Sequence, residues 1–177
     1  MKTTVRAVFL VVVLCAIGNP SSAQSPAVDW GPLNFLLGDW VGEGSGQPGQ
    51  GSGGSSFSLD LQKRVMVRKN WAQYPAAKGR PAFLHEDLMI TYRDSEKEPF
   101  KAIYFDNEGH VVHYVIQVSA GENSIQFLSE ASPGSPGYRL TYFKTGPNRM
   151  NVKFEIAPPG KPDSFSTYIT AEIRRKE

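Results

Sequence analysis

From residue 56 onward the chain alternates apolar and polar residues. Phe57, Leu59 and Leu61 alternate with Ser58, Asp60 and Gln62, as expected of a strand with one buried face, since strand side chains point to opposite sides in turn. Segments of similar character recur at 56–63, 64–74, 84–93, 100–106, 110–119, 123–130, 137–144, 149–157 and 164–174, after a first one that starts at Asp39 and runs to Gly44. Turn formers separate them, among them Gly79-Arg80-Pro81, Gly121-Glu122-Asn123, Pro133-Gly134, Gly146-Pro147-Asn148 and Pro158-Pro159-Gly160. A helical pattern precedes the strands: Trp30, Leu33, Phe35, Leu36 and Leu37 are apolar, Pro32 stands near the start and Gly38 follows. Early proline and trailing glycine start and stop a short helix. About ten sequential strands with no helices between them predict an all-β fold, a closed, mostly antiparallel up-and-down barrel with a short N-terminal helix. Closure removes the edges that would otherwise pair with other chains. A two-sheet sandwich is the alternative.

One hairpin reads in detail. Asp106-Asn107-Glu108-Gly109-His110 fits a three-residue loop with Gly109 in the left-handed region. That register pairs Asp106 with His110, Tyr104 with Val112 and Ala102 with Tyr114 on one face. Ile103, Phe105, Val111, His113 and Val115 fall on the other.

The remaining segments are not strands. Lys2 and Arg6, the apolar run Ala7–Ile17 and the small residues Ser21-Ser22-Ala23 predict a cleaved secretory signal peptide over 1–23. A short polar lead follows at 24–31, then one barrel domain over 32–177. The mature chain is expected to be exported, periplasmic or secreted, with no integral membrane segment. Without Lys2 and Arg6 the 19 basic residues fall to 17, the number of acidic ones, so no basic field invites nucleic acid. The single cysteine, Cys15, leaves with the leader, which excludes disulfides, thiol catalysis and cysteine metal sites from the mature protein. Residues 45–55 are rich in Gly and Ser and are expected to form a flexible loop. G-x-G-x-x-G spacings occur from Gly44 onward, at Gly44-Gly46-Gly49 and Gly49-Gly51-Gly54. A dinucleotide site needs a helix to follow, and strand periodicity follows instead.

The segment Phe35-Leu36-Leu37-Gly38-Asp39-Trp40-Val41-Gly42-Glu43-Gly44 resembles the FLxGxWxGxG opening of calycin-type barrels. These include the lipocalins, the nitrobindin-like haem barrels and a family of exported bacterial lipocalin-like proteins of uncharacterised function. The pattern of the last is echoed by His85-Glu86-Asp87, by Ala102–His110, by Tyr138-Arg139-Leu140-Thr141-Tyr142 and by Phe165-Ser166-Thr167-Tyr168. The resemblance implies that Trp40 closes one barrel end beneath a basic residue of the last strand, Arg174 or Arg175. Nitrobindin-like barrels hold haem iron through a histidine late in the chain. Nothing after His113 is a histidine, so that mode is excluded; haem through another histidine stays open, and no cofactor is predicted.

Three constellations could carry chemistry. Asp106 beside His110 is a candidate acid/base pair, but no nucleophile motif accompanies it. His85 and Asp87 share a strand face and could be joined by His110 or Asp106 in a mixed nitrogen/oxygen metal set, although no metal site is assigned. Tyrosines and Phe154 recur on successive strands: Tyr92, Tyr104, Tyr114, Tyr142, Phe154 and Tyr168, with Trp71 and Tyr74 nearby. A barrel of about ten strands can leave a cavity. The expected pocket for a small, largely apolar ligand is therefore lined by Tyr104, Asp106, His110, Tyr114 and Tyr142, with Arg139 available for a carboxylate. A small enzyme using Asp106 and His110, or a structural envelope protein whose rings fill the barrel, are the competing readings.

Overall fold

The computed structural model describes residues 28–42 and 51–177. The leader, the cleavage region and residues 43–50 lie outside them. A 3-10 helix, Gly31–Leu36, is followed by β1 (Gly38–Gly42), β2 (Ser52–Asp60), β3 (Val65–Tyr74), β4 (Phe83–Tyr92), β5 (Lys101–Asp106), β6 (Val111–Val118), β7 (Ser124–Ser129), β8 (Gly137–Gly146), β9 (Arg149–Ala157) and β10 (Ser166–Arg175). Each strand pairs antiparallel with its sequence neighbours, and β1 pairs with both β2 and β10, which closes the barrel. The expected all-β barrel and its helix are present, and the sandwich is not. A closed ten-strand antiparallel barrel is compatible with a lipocalin-like fold.

The β5–β6 hairpin has the register expected of it: Ala102 opposes Tyr114 and Tyr104 opposes Val112. Gly109 has φ +93°, a value at which a side chain would be strained. The Gly/Ser segment differs from its expectation. Ser52 to Ser55 are not loop but the first residues of β2, paired with Asn70–Gln73. Their smallness serves packing rather than flexibility. A Cβ on Gly53 would lie 2.8 Å from the Trp71 carbonyl oxygen, and one on Gly54 would lie 3.0 Å from that of Trp40. The β2–β3 junction also differs. It is a turn in which Leu61, Gln62 and Lys63 all have positive φ, 47°, 57° and 66°, although no glycine marks it.

One end of the barrel is filled. The 3-10 helix contributes Leu33 and Leu36, both fully buried, to one buried cluster with Trp40, Met66, Met89, Ile125, Phe127 and Met150. Trp40 donates its indole N–H to the Leu36 carbonyl at 2.7 Å. Trp30 donates to Lys63 O at 3.0 Å and stacks on Phe100. The Arg175 guanidinium lies 4.4 Å from the Trp40 ring centroid and donates to Leu37 O at 2.5 Å. Arg175, not Arg174, is therefore the closing cation. Trp40 and Arg175 are register partners, whereas Arg174 opposes Val41, and alternation turns it to the outer, exposed face.

Candidate functional site

Burial of the inward side chains falls along the barrel axis. On β3, Met66 and Arg68 are buried while Asn70, Ala72 and Tyr74 are half-buried. On β9, Met150 is fully buried while Val152, Phe154 and Ile156 are half-buried. The inner wall is thus closed near the helix and reached by solvent from the opposite end. Edge-to-face rings run across this transition, Phe57 to Tyr142 to Phe127 to Tyr114 to Tyr104, with centroids 5.6, 6.0, 6.3 and 6.4 Å apart. Such contacts hold each ring against its neighbour. The open half therefore has an ordered floor.

The walls of the open half differ in chemistry. On β8–β10, Tyr138, Leu140, Val152 and Phe154 give an apolar side. On β3–β6 the inward residues form a polar network. Arg68 and Asp87 sit at its base, 8% exposed each, with Arg68 Nη1 3.0 Å from Asp87 Oδ1. The contact is an ion pair by distance but is not aligned as a hydrogen bond. Arg68 Nε and Asp87 Oδ1 have no hydrogen-bond partner among the described residues. Asp87 Oδ2 accepts from Asn70 Nδ2 at 2.7 Å and lies 3.2 Å from His85 Nε2. The other nitrogen of His85, Nδ1, lies 2.8 Å from Glu108 Oε1.

Tyr104 links this group to the hairpin. Its hydroxyl donates to Asp106 Oδ2 at 3.1 Å and lies 3.3 Å from His85 Nε2. Asp106 Oδ1 accepts the backbone N–H groups of Glu108 and His110 at 3.0 and 2.8 Å, and Oδ2 lies 2.8 Å from His110 Nδ1. Asn107 fixes the turn against β4, donating to Leu84 O at 2.9 Å and accepting from Glu86 N–H at 3.1 Å. This clamp aims Glu108 at His85.

The electrostatics follow from these contacts. Burial would raise the Asp87 carboxyl, but the Arg68 charge and the hydrogen bonds from His85 and Asn70 outweigh it and hold it below its ordinary value. Asp106 is likewise held down against burial by the His110 backbone and side chain and by Tyr104. The bond to Asp87 raises His85 against its burial, and Glu108 adds to the effect. Burial, then the neighbouring carboxylates Asp87 and Asp106, push Tyr104 far up, so its hydroxyl keeps its proton and serves as a donor.

Of the residues singled out in the sequence, Tyr104, Asp106, Tyr114 and Tyr142 face inward on the barrel wall. Tyr142 is 1% exposed and belongs to the floor rather than the open wall. His110 reaches Asp106 but stands at the rim with its side chain 57% exposed. Arg139 is a correction: alternation turns it outward, where it pairs with Glu155 at 2.7 Å and covers the Phe165 ring. Trp71 also turns outward and is exposed, and Tyr168 sits at an irregularity in β10, 68% exposed. Arg68 went unnoticed in the sequence. Its signal was available, since it falls on the inward face of the alternating segment between Met66 and Asn70.

The described residues contain no helix long and apolar enough to cross a membrane. The chain matches no known protein-family model, and no curated protein shows significant similarity to it.

Proposed function

We propose that the protein is an exported, non-catalytic lipocalin-like barrel that takes a small, largely apolar molecule into its open half. The observation that carries this reading is Arg68, a buried guanidinium whose Nε has no partner among the described residues. An unpartnered buried donor is costly, and a ligand oxygen would satisfy it. The opposite wall, with Val152, Phe154 and Tyr138, suits an apolar body. An apolar pocket with few convergent polar groups is the usual form of a small-molecule site. Because Asp87 already offsets the Arg68 charge, the head group need only accept hydrogen bonds, as a carbonyl, ester or carboxylate does.

The enzyme reading is weaker. A general base works best screened from water within reach of a reacting group, and His110 is mostly in solvent. The filled-barrel reading fits the closed end, while the half-buried inner wall of the open half favours a pocket there.

Native mass spectrometry of the purified mature protein is expected to show one bound small molecule per chain. Val152→Trp, which fills the open half, should abolish it while Phe143→Trp, on the outer face, should not. Retention by Val152→Trp would defeat the proposal. N-terminal sequencing of the exported protein should begin at Gln24, and a mature chain that keeps residues 1–23 would refute the export reading.

A further inference from the structure

We propose that His85, Asp106 and Glu108 bind a divalent transition-metal ion at the mouth of the barrel, beside the ligand chamber and independently of what the chamber holds. One donor atom from each lies within 4.8 Å of the others. Tetrahedral ligands around zinc, at about 2.0–2.2 Å from the metal, stand roughly 3.4 Å apart. The 2.8 Å between His85 Nδ1 and Glu108 Oε1 would therefore have to open by well under an ångström. Glu108 is a half-exposed turn side chain, 42% accessible, and is free to make that adjustment.

The surroundings of His85 are those of a ligand. A metal-bound imidazole almost always gives its second ring nitrogen to a carboxylate or carbonyl, which fixes its orientation and raises its basicity. Asp87 Oδ2 stands 3.2 Å from His85 Nε2, which leaves Nδ1 to face the site. Asp87 is itself held by Asn70 and Arg68, so the orienting group rests on the buried base of the polar wall. Asp106 is equally well held, with both N–H groups of the turn on its Oδ1. Its Oδ2 accepts from the Tyr104 hydroxyl, which also lies 3.3 Å from His85 Nε2 and so braces the imidazole on the side that Asp87 holds.

Charge favours a dication. Arg68 offsets Asp87, so the carboxylates of Asp106 and Glu108 remain as the two opposing charges. His110, 2.8 Å from Asp106 Oδ2, offers a second imidazole on the same rim. One or two imidazoles with two carboxylates suit zinc, iron(II), manganese or nickel better than calcium. Three protein donors at an open rim leave a position for water or a ligand atom, so the ion would face the chamber.

The test is metal uptake by the purified mature chain. Zinc affinity is read by chelator competition and site geometry by the visible absorption of the cobalt(II) form. The native protein should take up one equivalent. His85→Gln should weaken binding at least 100-fold, Glu108→Gln about tenfold, and Asp87→Asn about 10–100-fold through loss of the orienting contact. His113→Gln, on the outward face of β6, should bind as the native protein does. Glu108 lies on an exposed turn, so its variant stays folded and keeps the test decisive even if His85→Gln does not. Failure of the native chain to bind either ion stoichiometrically would overturn the proposal. So would native affinity in both His85→Gln and Glu108→Gln.

Discussion

The two ends of this barrel are built from different physics. At the closed end Leu33, Leu36 and Trp40 are buried against methionines and phenylalanine, and the polar atoms present are backbone carbonyls that receive the two indoles and Arg175. At the open end the inner wall carries carboxylates, imidazole and guanidinium, with two buried polar atoms, Arg68 Nε and Asp87 Oδ1, that have no hydrogen-bond partner among the described residues. Packing tolerates little change but needs no partner. A buried polar network rigidifies when complete and costs free energy where it is incomplete. The closed end therefore looks finished, and the open end looks prepared for something further.

Two single substitutions should be equally harmful and separate the ends by function. Trp40→Ala should lose about 3–5 kcal/mol by leaving a cavity in a packed core, while the folded fraction still retains small molecules. Asp87→Ala should lose about 3–5 kcal/mol by stranding the buried Arg68 charge, and should lose ligand as well. Urea unfolding with native mass spectrometry on the same samples checks both. Loss of ligand from folded Trp40→Ala would break the comparison, because the closed end would then be part of the site.

A paired substitution sharpens it further. Replacing a buried ion pair by apolar residues of similar size is often neutral or stabilising by about 1–4 kcal/mol. Arg68→Met with Asp87→Leu should thus match or exceed native stability while no longer holding a hydrogen-bond-accepting head group. Destabilisation of this double variant would show that the pair is structural. Gly38→Ala probes the other end at a smaller scale. At φ +114° a side chain is strained, and its Cβ would fall 2.3 Å from Arg175 Nη1. The expected cost is about 1–3 kcal/mol, with Arg175 displaced from Trp40 and the open end unaffected.

The difference between the ends also explains what could be read from the chain. The closed end is written locally: Pro32, Gly38 and Trp40 lie within a few residues, and the motif they form announces itself. The strands were legible for the same reason, because alternation is a short-range signal. The hairpin register followed from one glycine, Gly109. The open end is assembled from β3, β4 and the β5–β6 turn. His85 and Asp106 could be suspected of sharing a site, but Arg68 and Glu108 join it only through strand register and the Asn107 clamp. Arg139 misled by its charge: the alternation of Tyr138, Leu140 and Tyr142 with Arg139 and Thr141 already puts it on the face opposite Tyr142. The Leu61–Lys63 turn carries no glycine, and nothing short-range betrayed it.

The smallest expected effect concerns an ion pair that belongs to neither end. Glu155 lies on the outer wall, its side chain 6% exposed beneath Arg139 and Lys153. The hydrogen bond from Arg139, with that from Lys153 and both positive charges, holds it at about 2 despite some desolvation, against an ordinary value of 4.5. A carboxyl whose pKa is lower in the folded chain stabilises the fold fully above its unfolded value, and loses that contribution as pH falls toward the folded one. The stability gap between the native protein and Glu155→Gln should therefore be constant from neutral pH down to about 5. It should close progressively between about 4.5 and 2, as read by urea unfolding at each pH. Ligand retention at neutral pH should not change, because the pair faces away from the chamber. A gap independent of pH would mean that Glu155 acts by packing alone. Loss of ligand on its substitution would mean that the outer wall and the open half are coupled, contrary to the separation by face on which the comparison of the two ends depends.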